Sequence, residues 1–267
     1  MIRPPAVAGQ FYHDSEALLQ SQVEQCLNRH AVKEKVIGAL SPHAGLMYSG
    51  HVAGAVYSAI SFPETFILLG PNHTGVGARF SLMDSGEWEI PTGVLAIDEE
   101  LAEAIAAEVP VLSRDMQAHR FEHSLEVQLP FIAYFSSSSR IIPIAVMNAS
   151  LEECKIVGEG IASAVRHSGR PVVVVASSDM SHYVSAAVAG ELDKLALRDL
   201  FNLNPEGLYN TVLNNNISMC GFIPATIMLY AVRSLGAIEA RLIKYATSGE
   251  VTGDYDYVVG YAGVVIK

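Results

Sequence analysis

Charge is scarce in this 267-residue chain. Only 17% of residues are Asp, Glu, Lys or Arg, while half are apolar. The charge present runs acidic, 28 Asp and Glu against 17 Lys and Arg, for a formal net charge of −11. That balance argues against nucleic acid or an anionic membrane surface as a partner. No apolar run approaches the roughly 18 residues that suggest a membrane span. The N-terminus, MIRPPAVAGQFY, lacks the apolar core of a signal peptide. Cys26, Cys154 and Cys220 are odd in number, far apart and without a C-x-x-C, so neither a disulfide framework nor a structural zinc site is indicated. The expected compartment is the reducing cytoplasm. No linker or low-complexity stretch divides the chain, and residues 1–267 are expected to form one domain. A large core under a sparse charged surface leaves room for an oligomer interface.

What the chain does contain is one pattern used three times. Val36 to Leu40 is a short apolar run followed by Ser41-Pro42-His43-Ala44-Gly45 and then a small-residue helical pattern from about Gly50. Thr65 to Leu69 leads into Gly70-Pro71-Asn72-His73-Thr74-Gly75, and Val172 to Ala176 into Ser177-Ser178-Asp179-Met180-Ser181-His182. Each reads as a buried strand ending in a polar turn that carries a histidine. In open α/β sheets the loops after the carboxyl ends of parallel strands line the ligand crevice. If these strands are parallel neighbours, the three turns meet.

Around them the local signals are ordinary. Asp14 or Ser15 caps a first helix, Asp98 a second with Glu99 and Glu100 at its positive end, and Ser150-Leu151-Glu152-Glu153 spells a capping box for a helix to about His167. Arg79 to Ile97 reads as a short antiparallel excursion at the mouth of the site. In LEVQLPFIAYF a helix is expected to break or end near Pro130. Ile141 to Met147 is a further strand, Asn204-Pro205-Glu206 opens a helix, and Ala240–Thr247 and Tyr257–Ile266 are the last two strands.

Imidazole suits zinc, copper and iron, and two His with one anionic ligand is a familiar open metal site. His43 and His73 are the expected ligands. Each follows a proline closely in a glycine-bounded turn. The third ligand is open between Cys220, on a turn before a helix, and the carboxylates Glu122 and Asp179. Asp179 and His182 are close enough to act as a pair, with Asp179 orienting His182 as acid or base. His123 with Glu122 and Glu126 reads as supporting polar groups or a polar helix start. His51 reads as a helix-surface or supporting group, and His13, His30, His119 and His167 as solvent-exposed. Neither Gly-rich turn matches a phosphate loop or a dinucleotide fingerprint.

Six motifs, PAVAGQFY, SPHAGLMYSG, LLGPNHTG, EHSLEVQLPF, SSDMSHY and MCGFIPA, run in this order from Pro5 to Ala225 and resemble the Memo family. The resemblance implies a fold similar to non-haem iron extradiol dioxygenases, an αβα sandwich around a largely parallel sheet. It also implies a site of His43, His73, Asp179, His182 and Cys220. Extradiol dioxygenases hold their metal by two His and a Glu, whereas the Memo pattern puts Cys, here Cys220, in the third place. A thiolate there is softer and favours copper or zinc. The expected function is therefore an iron- or copper-binding protein, zinc being a further candidate, with redox activity and His182 as acid/base group. The rival expectations are a non-catalytic module that holds a peptide or metabolite in the old cleft, and a metal-dependent hydrolase. The family's suggested binding of phosphorylated receptor tails calls for a basic cleft, which a net charge of −11 does not favour.

Overall fold

A computed structural model describes residues 1–267. The chain opens with a two-residue strand, β1 (Ile2–Arg3), and helix α1 (Glu16–Cys26). Then come β2 (Gly38–Ser41), α2 (Leu46–Ala59) and β3 (Thr65–Pro71). Three short strands follow, β4 (Phe80–Leu82), β5 (Glu87–Ile90) and β6 (Gly93–Ala96). Asp98 caps α3 (Glu99–Glu108) by accepting from Leu101 N. After β7 (Ser113–Arg114), two single tight turns, Gln117–His119 and Glu126–Gln128, lead into α4 (Leu129–Phe135). The Ser150 capping box forms as expected between β8 (Arg140–Val146) and α5 (Leu151–Ser168). The chain ends with β9 (Val172–Ser177), β10 (His182–Val184), α6 (Ala186–Phe201), α7 (Pro205–Asn214), α8 (Phe222–Ser234), β11 (Ala240–Thr247), α9 (Gly249–Thr252) and β12 (Val258–Ile266).

The main sheet runs β10-β12-β2-β9-β3-β8-β4-β7, with β11 also on β12. Its centre, β2-β9-β3-β8, is entirely parallel, and β12 and β4 add antiparallel flanks. The central strands are buried along nearly their whole length, which explains their unbroken apolar runs. Helices cover both faces. Gly38 of β2 lies against Val232 and Met228 of α8, while Gly263 of β12 lies against Val52 and Val56 of α2. The structure is the α/β sandwich expected. The small residues of α2 also let it approach α1: a Cβ on Gly54 would sit 2.3 Å from Cys26 O. No helix is long and apolar enough to cross a membrane.

Three expectations are corrected. Pro130 does not end a helix; it sits in the first turn of α4, where its missing N–H costs nothing. Residues 79–97 form the expected hairpin, β5 with β6, but none of them lines the cavity at the histidines. Pairing of β1 with β5, Ile2 opposite Glu87 and Arg3 opposite Trp88, draws the hairpin to the N-terminal strand instead. His119 is fully buried, not exposed. Arg3 Nε donates to His119 O at 2.8 Å and folds this segment under, so the ring packs edge-on to Trp88.

Burial of His119 has a thermodynamic consequence. Its Nε2 lies 3.1 Å from Ser81 O and its Nδ1 has no partner. Burial lowers its pKa, the Ser81 carbonyl opposes this and the Arg3 charge adds to it, leaving about 4. Between that value and the ordinary 6.5 the unfolded chain takes up a proton that the folded chain refuses. The contribution of His119 to stability is therefore full above pH 6.5 and is lost as pH falls toward 4. The share from His119 is about 3 kcal/mol. Urea unfolding from pH 7 to pH 4 is expected to show a shallower loss in His119→Gln than in the wild type; parallel curves would refute this assignment.

Candidate metal centre

The site follows from register. β2 and β9 pair with Ser41 opposite Ser177, and β9 lies between β2 and β3. His43 and Asp179 each stand two residues past those paired serines, so the turns face one another. Asp179 Oδ1 accepts from His43 N at 2.8 Å and Ala44 N at 3.3 Å. At the end of β3, Asn72 Oδ1 accepts from Thr74 N, Thr74 Oγ1 and Gly75 N, which curls the next turn and sets His73 at its start. Cys220 comes from the turn just before α8, beside the end of β9. Gly221 makes this approach feasible, since a Cβ there would fall 2.4 Å from Ser177 O.

Three imidazoles meet. His43, His73 and His123 each offer a ring nitrogen, and these lie within 4.8 Å of one another. His73 and His123 stack at 4.7 Å, and His43 meets both edge-on at 5.3 and 5.5 Å. Three nitrogens about 2.0–2.1 Å from one zinc-sized ion would be about 3.3 Å apart, so small side-chain rotations close the set. The group can hold a metal ion. Cys220 Sγ stands 3.3 Å from His43 Nε2, beside the trio rather than within it.

Glu122 anchors the cluster. Its fully buried carboxylate accepts from His73 N, from His73 Nδ1 at 2.9 Å, from His123 N at 2.9 Å and from Ser124 N at 2.8 Å. Burial raises its pKa, but the His73 hydrogen bond and charge, with Ser124 N–H and His123, outweigh this and bring it down to about 2. With its oxygens so engaged it orients His73, a role common for a carboxylate behind a metal-binding imidazole, rather than serving as a ligand.

Burial favours the neutral forms of His43, His123, Cys220 and Asp179. Burial first, then His123 and His73, push the His43 pKa well below its ordinary value, and burial also lowers His123. Burial and the neighbouring Asp179 raise the Cys220 thiol. Burial raises Asp179, partly offset by the His43 N–H. His182 was expected to be oriented by Asp179. Its Nδ1 instead contacts Met180 O at 2.7 Å and Ser218 O at 2.8 Å, because Asp179 is turned toward the His43 backbone. His182 and Asp179 still share with the three histidines a cavity of about 500 Å³, walled by Phe11, Tyr48, Tyr183, Tyr257 and Tyr261. His51 does not line it.

A sequence profile for the family described as Memo-like protein matches residues 3–265. The chain belongs to the Memo family. A MEMO1 family protein of Methanothermobacter thermautotrophicus is 41% identical over 274 residues, covering 98% of this chain and 99% of that one. Another, from Methanosarcina barkeri, is 41% identical with both chains fully covered. Among solved structures, an uncharacterized protein of Escherichia coli K12 superposes with a TM-score of 0.59 at 12% identity, over 86% of this chain and all of that one. That likeness concerns the fold alone.

The strand-end pattern passes over the motif EHSLEVQLPF, which carries Glu122 and His123. No strand precedes His123, so its place beside His43 and His73 has no signal except its contiguity with a buried acid. Glu122→Gln keeps the size but sets an NH₂ against N–H donors. It is expected to cost about 2–3 kcal/mol in urea unfolding. It should also weaken Zn(II) or Co(II) binding about tenfold to a hundredfold in competition titrations. Unchanged affinity would remove Glu122 from the centre.

Proposed function

We propose that the protein is a redox-active metalloprotein that binds one iron or copper ion through His43, His73 and His123, with Cys220 as the adjoining soft donor. The observation that carries this is the meeting of three ring nitrogens within 4.8 Å at the floor of a cavity, with a thiol 3.3 Å from one of them. Imidazole with thiolate suits copper and iron as well as zinc. When bound, such an ion supplies electron exchange with a molecule in the cavity. The chain's own residues do the rest. Glu122 and the strand-end turns hold the imidazoles. His182, whose Nδ1 faces two carbonyls, turns Nε2 to the proton traffic of the reaction. Asp179 keeps the His43 turn closed. The cytoplasm suits such a centre, since its three free thiols stay reduced there.

A second reading is a ligand- or peptide-binding module. Tyr183 and Tyr257 favour it: both are more than half exposed at the cavity wall and stack at 5.2 Å. None of the 15 lining residues is Lys or Arg, so the occupant suited to this cavity is a small molecule or peptide without a phosphate.

Elemental analysis of protein purified without a chelating tag tests both readings. The wild type should carry about one equivalent of iron or copper, and His43→Ala and His73→Ala should lose it. Cys220→Ser should weaken copper(I) more than zinc, whereas His123→Ala should weaken both. Equal metal content in all four variants and the wild type would refute the centre. Wild-type protein that takes up no Fe(II) or Cu(I) would leave the binding module.

A further inference from the structure

A neutral imidazole carries its proton on one ring nitrogen, and only the other can bind a metal. Around His43 the hydrogen bonds leave one choice. Gln128 is fully buried, with Oε1 3.0 Å from Tyr57 Oη and Nε2 2.9 Å from both Pro42 O and Ser177 Oγ. Pro42 O can only accept, so the amide end facing it is the NH₂; a flipped amide would set two oxygens against each other. Gln128 therefore donates to Ser177 Oγ. Ser177 has a single hydroxyl proton, and its Oγ lies 2.6 Å from Ser124 O. Two oxygens that close need a proton between them, and the carbonyl has none. His43 Nδ1, 2.9 Å from the same Oγ, must then be the donor.

We infer that Tyr57, Gln128 and Ser177 form a buried relay that fixes His43 as the Nδ1–H tautomer and presents the Nε2 lone pair to the cavity. These are positioning residues. The relay reaches from α2, where Tyr57 is held parallel to Phe131 at 5.6 Å, through the turn before α4 to the end of β9. The arrangement is self-consistent on the other side of the ring, where Cys220 Sγ, 3.3 Å from Nε2, can donate its thiol proton to that lone pair until a metal takes its place. Burying an amide and a hydroxyl in a core is costly unless every partner is matched, and here each partner serves the ring. The purpose assigned to the relay rests on the metal-centre reading; its geometry does not.

Long-range proton–nitrogen correlation spectra of metal-free protein with nitrogen-labelled histidine decide the tautomer, with His43→Gln identifying the signal. The expected result is a neutral His43 protonated on Nδ1; a proton on Nε2 would overturn the inference without any variant. In Ser177→Ala the acceptor is gone, and both ring nitrogens should shift to intermediate values as the two tautomers mix. Zn(II) or Co(II) affinity should fall about tenfold to a hundredfold. A folded Ser177→Ala that keeps the pure Nδ1–H signal would overturn the role of the relay. An Nδ1–H wild type that binds no metal would instead overturn the metal reading and leave the relay standing.

Discussion

The site depends on the parallel pairing of β2, β9 and β3. β9 is the last of the three to appear in the chain, yet it inserts between the other two. Parallel pairing puts all three carboxyl ends at one edge, and register puts Ser41 beside Ser177. The Asp179 carboxylate, two residues on, then has only the His43 and Ala44 amides to meet. A slip of one residue would turn side chains to the opposite face and separate the histidine turns.

The second organising feature is one irregular segment, residues 122–128, which serves several partners at once. Glu122 holds His73, His123 joins the imidazole group, and Gln128 reaches Ser177. Glu126, fully buried, accepts from Ala6 N at 2.8 Å, Val7 N at 3.0 Å and Tyr12 Oη at 2.5 Å, and pairs with Arg3. That carboxylate fastens the Pro- and Gly-punctuated N-terminal stretch to the body of the protein and lays Phe11 against His123 at 4.6 Å. A buried charge is tolerable only with this degree of satisfaction. The backbone here stays irregular because its side chains, not a ladder, decide its path.

Charge is arranged to favour a cation. Burial disfavours the charged forms of His43 and His123, and Glu122 stays an anion behind them. A cavity so built offers lone pairs rather than fixed positive charge. That suits a metal cation and explains why the lining needs no Lys or Arg.

Much of this was legible in the sequence. The strand-turn-histidine pattern, the Asp98 and Ser150 caps, the Pro205 helix start and the family motifs are properties of a few neighbouring residues, and local chemistry alone determined them. Tertiary structure decided what the sequence left open. It brought His123 to His43 and His73 and turned Asp179 to the His43 backbone rather than to His182. It also buried His119 and set Cys220 beside the His43 ring. Each of these is a contact between residues far apart in the chain. Such contacts depend on strand order and register, which no local pattern of apolar and polar residues encodes by itself.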